Sequence, residues 1–226
     1  MNSIMIDYGL ILLAIIISGS AQMYINHWYN KTKKMKTSKG MNGNQTARKI
    51  LDNNDLKDVG INEVAGTLSD HYDPAKKTVN LSNDIYGTDS IASISVAAHE
   101  CGHAIQDKNG YFFLRLRRGM VPFVNLASKL GYVAILIGLI FGAMGFFKIG
   151  IILEIVILVF QLITLPVEFD ASSRALKKIE EYGIVTKDEL RYCKSMLRSA
   201  ALTYVAGVTA SLLQVLRLVL MFRRND

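Results

Sequence analysis

Four long apolar runs constrain the fold of this chain more than any other feature of its sequence. The hydrocarbon core of a bilayer is about 30 Å thick, and a helix of roughly 20 predominantly apolar residues crosses it. The runs cover residues 9–25, 130–147, 149–165 and 200–222. Gln214 and Arg217 interrupt the last run, which therefore predicts a helix that either spans the membrane or lies buried. The expected fold is a mainly α integral membrane protein with three or four transmembrane helices.

The composition agrees with a membrane location and argues against other classes of protein. Hydrophobic residues make up 50% of the 226 residues, which is high for a soluble domain. The net charge of +7 does not indicate nucleic acid as a partner, because the basic residues cluster beside apolar runs and no aromatic-interleaved basic motif is present. With only Cys101 and Cys193, no disulfide is expected, which suits a reducing compartment.

The basic residues also predict the side of the membrane on which the polar segments lie. Eight of them lie in the segment between the first and second apolar runs, close to its two ends: Lys31, Lys33, Lys34, Lys36, Lys39, Arg115, Arg117 and Arg118. The tail before residue 9 has no basic residue and contains Asp7, which favours a retained anchor over a cleaved signal peptide. By the positive-inside rule, residues 31–118 are cytoplasmic. Two further spans bring residues 168–198 back to the same side.

The polar segment of residues 31–118 is long enough to form a lobe outside the membrane. Its pattern predicts three elements and a connecting turn: an amphipathic helix over residues 44–59, strands over residues 61–68 and Thr78–Ser82, and a turn over residues 70–77. These elements predict a small α+β lobe.

Residues 88–106 form the clearest soluble helix in the sequence. A capping residue at Thr88, Asp89 or Ser90 begins it, and its interior is rich in alanine. After the following basic residues, two apolar runs separated near Lys148 predict a tight transmembrane hairpin that ends at Pro166. The predicted soluble helix precedes this hairpin.

This helix contains the sequence His99-Glu100-Cys101-Gly102-His103, which is an H-E-x-x-H motif. Side chains four residues apart lie on one face of a helix, so His99 and His103 can direct an imidazole nitrogen to one zinc ion. Glu100 is placed beside the water site as a general base. We expect one Zn²⁺ per chain and hydrolysis of peptide bonds, in which Glu100 takes a proton from water and gives it to the leaving amine.

A catalytic zinc site usually has three protein ligands, so the motif needs one more residue. The best candidate is Glu168, which follows the hairpin in Pro166-Val167-Glu168-Phe169-Asp170 and is predicted on the same side as the motif. The alternative is an interfacial acid near the start of the next helix. Asp170 is a candidate acceptor for the second nitrogen of His99 or His103.

Two residues near these segments have alternative roles. His71 is either a contact for substrate or for the oxyanion, or a turn histidine bonded to its neighbours. Cys101 lies two positions from either motif histidine and therefore projects to another face of the helix. We expect Cys101 to be a small core residue.

The chain resembles the YugP-type neutral zinc metallopeptidases, which are bacterial membrane proteases. The resemblance covers nearly the whole chain, and the blocks around His99 and Glu168 are its most specific parts. It is carried by these segments: Leu68-Ser69-Asp70-His71-Tyr72-Asp73-Pro74, Val79-Asn80-Leu81-Ser82, Ala97-Ala98-His99-Glu100-Cys101-Gly102-His103-Ala104-Ile105-Gln106 and Leu165-Pro166-Val167-Glu168-Phe169.

The resemblance implies a gluzincin-like site in a zincin-like lobe. Zinc would lie on His99, His103 and Glu168, with Glu100 as the catalytic residue and a substrate strand near Thr78–Ser82. Many gluzincins have an Asp four residues after the ligand Glu, but Ser172 occupies that place here. The resemblance does not supply a substrate.

Five segments follow as the expected organisation. They are an N-terminal transmembrane anchor over residues 1–30, a cytoplasmic metallopeptidase lobe over residues 31–118, a transmembrane hairpin over residues 119–166, a cytoplasmic helical segment with the third ligand over residues 167–199, and a C-terminal hydrophobic helix over residues 200–226.

The sequence therefore predicts a multi-pass protein of the cell membrane that hydrolyses peptides or membrane proteins at the cytoplasmic face. Its expected partners are that substrate and the lipid bilayer, and its oligomeric state is left open. The alternative is a non-catalytic zinc-binding membrane scaffold or adaptor. Such a structural site needs no general base and usually has a fourth protein ligand, so Glu100 favours the enzyme.

Overall fold

The computed structural model describes residues 3–225, and helices dominate this part of the chain. Seven helices and three strands lie within it, in this order: α1 Ser3–Lys33, α2 Gly43–Asp52, β1 Gly60–Val64, β2 His71–Asp73, β3 Thr78–Ser82, α3 Asn83–Tyr86, α4 Ile91–Lys108, α5 Phe112–Phe141, α6 Met144–Glu181 and α7 Lys187–Asn225. The prediction of a mainly α protein with a small sheet is confirmed.

Within residues 3–225, four helices are long and apolar enough to cross a membrane, namely α1, α5, α6 and α7. Because α6 has 38 residues and α7 has 39, each is longer than the roughly 20 residues that a bilayer requires. The apolar run of residues 200–222, which Gln214 and Arg217 interrupt, forms part of α7 and so also lies in a helix long enough to span the membrane. The integral membrane fold is therefore confirmed, with four candidate spans.

The chain divides into two compact units. One contains Arg115–Leu165, the part of α1 up to Gln22 and the part of α7 from Thr203 onward. It includes most of the apolar runs. The other, here called the lobe, contains Met23–Leu114 and Pro166–Leu202. The lobe thus joins the polar segment that precedes the hairpin to the polar segment that follows it.

The first helix of the lobe, α2, is shorter than predicted. It begins with a capping box in which Asn42 and Gln45 exchange side-chain and backbone hydrogen bonds, as expected for this pair of residues. It ends at Asp52, so the prediction that it continues to residue 59 is wrong. The Arg48 guanidinium donates hydrogen bonds to the carbonyl oxygens of Leu56 and Val59 and so holds the following loop against the helix.

The three strands form one sheet in the order β1-β3-β2, with β1 parallel and β2 antiparallel to β3. The prediction for β3 is confirmed, but the predicted strand 61–68 ends at Val64. The predicted turn 70–77 is too long, because His71–Asp73 is a strand. The turn proper begins at Asp73, whose carboxylate accepts hydrogen bonds from the backbone N–H groups of Ala75 and Lys76.

The helix that carries the motif is confirmed as α4. Its cap is Ser90, whose side chain accepts a hydrogen bond from the backbone N–H of Ser93. Most of its interior is buried, and it forms part of the largest apolar core together with α2, β3 and the facing residues of α6 and α7. A helix buried on so many sides holds its side chains in fixed positions.

The hairpin turns earlier than predicted, and its second helix continues past Pro166, where the division between the two units lies. The turn between α5 and α6 lies at Gly142, which adopts φ 65°, and Lys148 is already inside α6. Pro166 also lies inside α6 and does not end it. Proline disfavours a helix interior because it lacks an N–H and its ring clashes with the preceding turn. Here the residues that follow are held by packing, since four of them at four-residue spacing are buried: Val167, Ala171, Ala175 and Ile179.

Within the lobe, α4 and α6 approach each other closely at Gly102. A Cβ atom on Gly102 would lie only 2.5 Å from the backbone carbonyl oxygen of Ala171. Two backbones can come this near only where one residue has no side chain. Gly102 therefore sets the distance between these two helices.

We predict that Gly102→Ala destabilises the protein. In an open helix, alanine would stabilise by about 1 kcal/mol relative to glycine, but the clash with Ala171 should cost about 1–3 kcal/mol and reverse this gain. Thermal unfolding of the detergent-purified chain measures the effect. Gly87→Ala is the matched control, because no atom lies within 4 Å of its Cβ position. Higher stability of Gly102→Ala would contradict the close contact.

Candidate metal centre

His99 and His103 occupy one face of α4, one helical turn apart. Their ring centroids are 4.8 Å apart and their planes are nearly perpendicular, at 83°. His103 is buried and His99 is slightly more exposed. The sequence motif therefore forms the pair of adjacent imidazoles that its spacing predicts.

Glu168 comes from α6 and meets both imidazoles. Its Oε2 atom lies 3.2 Å from Nε2 of His99 and 3.7 Å from Nε2 of His103. Only 2% of Glu168 is exposed to solvent. The structure thus brings together three residues that are up to 69 positions apart in the sequence.

The three side chains form a group that could hold a metal ion. Their nitrogen and oxygen atoms all lie within 4.8 Å of one another. Two ligand atoms bound to a tetrahedral zinc ion lie about 3.4 Å apart, since each is about 2.1 Å from the metal. The two distances from Glu168 to the imidazoles bracket this value. Two imidazoles and a carboxylate are also a ligand set that occurs in zinc hydrolases.

The electrostatics of His103 reflect the acids that surround it. Burial alone would lower its pKa by disfavouring the charged imidazolium, but three partners outweigh it. The nearby carboxylate of Glu168 and the charge of Glu100 raise the pKa of His103 above its ordinary value, with a further contribution from Gln106. The site therefore favours positive charge at its centre.

Each imidazole has a second partner at its Nδ1 atom. Oγ of Ser172 lies 3.2 Å from Nδ1 of His99, and Oε1 of Gln106 lies 3.0 Å from Nδ1 of His103. Histidines that bind metals usually have such a partner at the other ring nitrogen. Asp170, the acceptor expected from the sequence, instead accepts a hydrogen bond from the side chain of Gln106.

Gln106 was missed by the sequence analysis, although a signal was present. It lies three residues after His103 and therefore on the same side of α4, within reach of the imidazole. Ser172 was noted only because the gluzincin pattern has an acid there. In this chain the hydroxyl of Ser172 takes that position beside His99.

Glu100 is 7% exposed and lies next to His99 in the chain. Within residues 3–225, no hydrogen bond or ion pair engages its carboxylate. Glu100 is thus available to accept a proton from a group that enters the site.

His71 and Cys101, the other two residues considered from the sequence, each contact neighbouring groups of the lobe. His71 is exposed and its ring nitrogens contact the backbone oxygen of Ser69 and the side chain of Asn80. Cys101 is completely buried, and its thiol points to the carbonyl oxygen of Ala47 on α2 at 3.6 Å. Burial raises the pKa of the Cys101 thiol, which makes it a poor nucleophile.

Comparison with known proteins agrees with this geometry. Residues 8–223 match the family described as "Putative neutral zinc metallopeptidase". A relative from Bacillus subtilis (strain 168), named "Putative membrane protease YugP", is 44% identical over 213 residues, which cover 94% of this chain and 95% of the relative. No solved structure matches the chain. The chain belongs to this family of neutral zinc metallopeptidases.

Proposed function

We propose that this chain is a membrane-embedded, zinc-dependent endopeptidase that cuts peptides or membrane proteins at the cytoplasmic face. The proposal rests on the ligand atoms of His99, His103 and Glu168, which lie within 4.8 Å of one another. Glu100 adjoins His99, and no hydrogen bond engages its carboxylate within the described residues. Membership of the metallopeptidase family supports the same reaction class.

In this proposal the three side chains would hold one zinc ion per chain. Zinc bound there would supply a Lewis acid for the scissile carbonyl group and lower the pKa of a water molecule. Glu100 would accept a proton from the water that attacks the carbonyl carbon and give it to the amine nitrogen that leaves as the C–N bond breaks. Ser172 and Gln106 hold the two imidazoles in orientation throughout.

The sheet restricts where an extended substrate can pair with the lobe. The resemblance to the family implied a substrate strand near Thr78–Ser82, but β3 is the middle strand and β1 and β2 flank it. Residues of β3 already pair with both neighbours. A substrate that adds a strand to this sheet would therefore pair with the free edge of β1 or β2.

We predict that Glu100→Gln abolishes peptide cleavage while zinc stays bound. The amide keeps the size of the side chain but cannot accept the proton, so the rate should fall about 10²- to 10⁴-fold. Zinc content and cleavage of a peptide library by the detergent-purified chain are measured together.

Glu181→Gln is the control for this experiment, because Glu181 is exposed and pairs with Lys178. It should retain both zinc and cleavage. If the wild type binds zinc and cleaves nothing, the scaffold alternative replaces the peptidase. If the wild type binds no zinc, the proposed ligand set is wrong.

The cytoplasmic location predicts how introduced cysteines react with a membrane-impermeant maleimide. Lys76→Cys in the lobe should be labelled only after cells are permeabilised, since its side chain is 81% exposed and lies on the predicted inner side. Phe141→Cys at the turn of the hairpin should be labelled in intact cells. The native cysteines are both buried and provide the unlabelled background. The opposite pattern would reverse the topology.

A further inference from the structure

Gln106 is completely buried and forms three hydrogen bonds through its one amide group. Its nitrogen donates to the carbonyl oxygen of Val167 and to the carboxylate of Asp170, both at 2.8 Å. Its oxygen lies 3.0 Å from Nδ1 of His103. The amide therefore links α4 to the residues on either side of Glu168 in α6.

These contacts determine which way the amide points. Val167 and Asp170 offer only acceptors, so the NH₂ group, with its two hydrogens, must face them. The reverse orientation would direct the amide oxygen at a carbonyl oxygen and a carboxylate oxygen, with no hydrogen between them. The oxygen of Gln106 must then face His103.

An oxygen at this position also fixes the proton on His103. The amide oxygen can only accept, so Nδ1 of His103 must carry the hydrogen. In the neutral ring, Nε2 then has its lone pair free, and this is the atom that faces Glu168 at 3.7 Å. We propose that Gln106 is a positioning residue that holds His103 in the tautomer able to bind zinc. This inference rests on the proposed metal site.

The structure also holds Gln106 itself in place. Oδ2 of Asp170 accepts a hydrogen bond from Nε of Arg174 at 2.5 Å, as well as the one from Gln106. The Arg174 guanidinium lies 5.9 Å from the ring centroid of Tyr111, whose hydroxyl reaches the carbonyl oxygen of Pro166. Asp170 therefore acts on His103 through Gln106.

His99 and His103 differ in whether the partner at Nδ1 fixes the tautomer of the ring. Ser172 faces Nδ1 of His99 with a hydroxyl group, which can either donate or accept because it rotates. Ser172 therefore does not select a tautomer of His99, whereas Gln106 selects one for His103. Removing the Ser172 hydroxyl should weaken zinc binding less than removing the Gln106 amide.

The test measures zinc affinity of the full detergent-purified chain by competition with a chelator. Gln106→Met keeps the volume of the side chain and removes the amide, and it should lower zinc affinity roughly 10- to 100-fold.

Asp170→Ala should lower zinc affinity less than Gln106→Met does, because Val167 still orients the Gln106 amide. Asp170→Asn should keep zinc affinity near the wild-type value, because the oxygen of the new amide still accepts a hydrogen bond from Gln106. Ser172→Ala gives the comparison for His99, and Gln214→Met in α7 is the matched control with unchanged affinity.

A double variant and a spectrum separate positioning from general packing. If Asp170 acts through Gln106, Asp170→Ala should add no further loss of affinity in the Gln106→Met background. The visible absorption of bound Co²⁺ should change in Gln106→Met and not in Gln214→Met. If Gln106→Met does not fold, the contrast between Asp170→Ala and Asp170→Asn carries the test.

Some outcomes would overturn the inference and leave the proposed function intact. These are wild-type zinc affinity in Gln106→Met, additive losses in the double variant, or equal losses in Asp170→Ala and Asp170→Asn. Absence of zinc binding in the wild type would overturn both proposals.

Discussion

The backbones of α4 and α6 touch at Gly102, and the candidate metal centre is built around this contact. Any side chain larger than hydrogen at Gly102 would meet the carbonyl oxygen of Ala171. His103 follows Gly102 directly, and Ser172 follows Ala171. The imidazoles and the carboxylate of Glu168 therefore lie within reach of each other because two helix axes come unusually close.

Burial of charge is the second constraint on this region. Glu168 is almost excluded from solvent, and an isolated buried carboxylate costs several kcal/mol unless it is paired. Glu168 faces two imidazoles, while Glu100 has no hydrogen-bond partner within the described part of the chain. One divalent cation on the proposed ligands would offset both negative charges. Two imidazoles and a buried carboxylate gathered at one point are also a ligand set that zinc hydrolases use.

Local patterns in the sequence predicted local structure well. The H-E-x-x-H motif lies on a helix and Thr78–Ser82 is a strand, because helical spacing and alternation are properties of a few neighbouring residues. Pro166 was expected to close the hairpin, and α6 continues through it because burial of the next turns outweighs the preference of proline against a helix interior. Gln106 was missed for a related reason. Its role depends on the orientation of its amide, which the distant residues Val167 and Asp170 decide.

The arrangement of donors around the site favours a catalytic role over a structural one. A structural zinc site usually has four protein ligands, and cysteine is the commonest of them. Cys101 lies inside the motif, but α4 turns its thiol toward Ala47 and into the core. Within residues 3–225, the group that can hold a metal contains His99, His103 and Glu168. Three ligands would leave one position of a tetrahedral ion for water, and Glu100, which adjoins His99 in the chain, has no hydrogen-bond partner within the described residues.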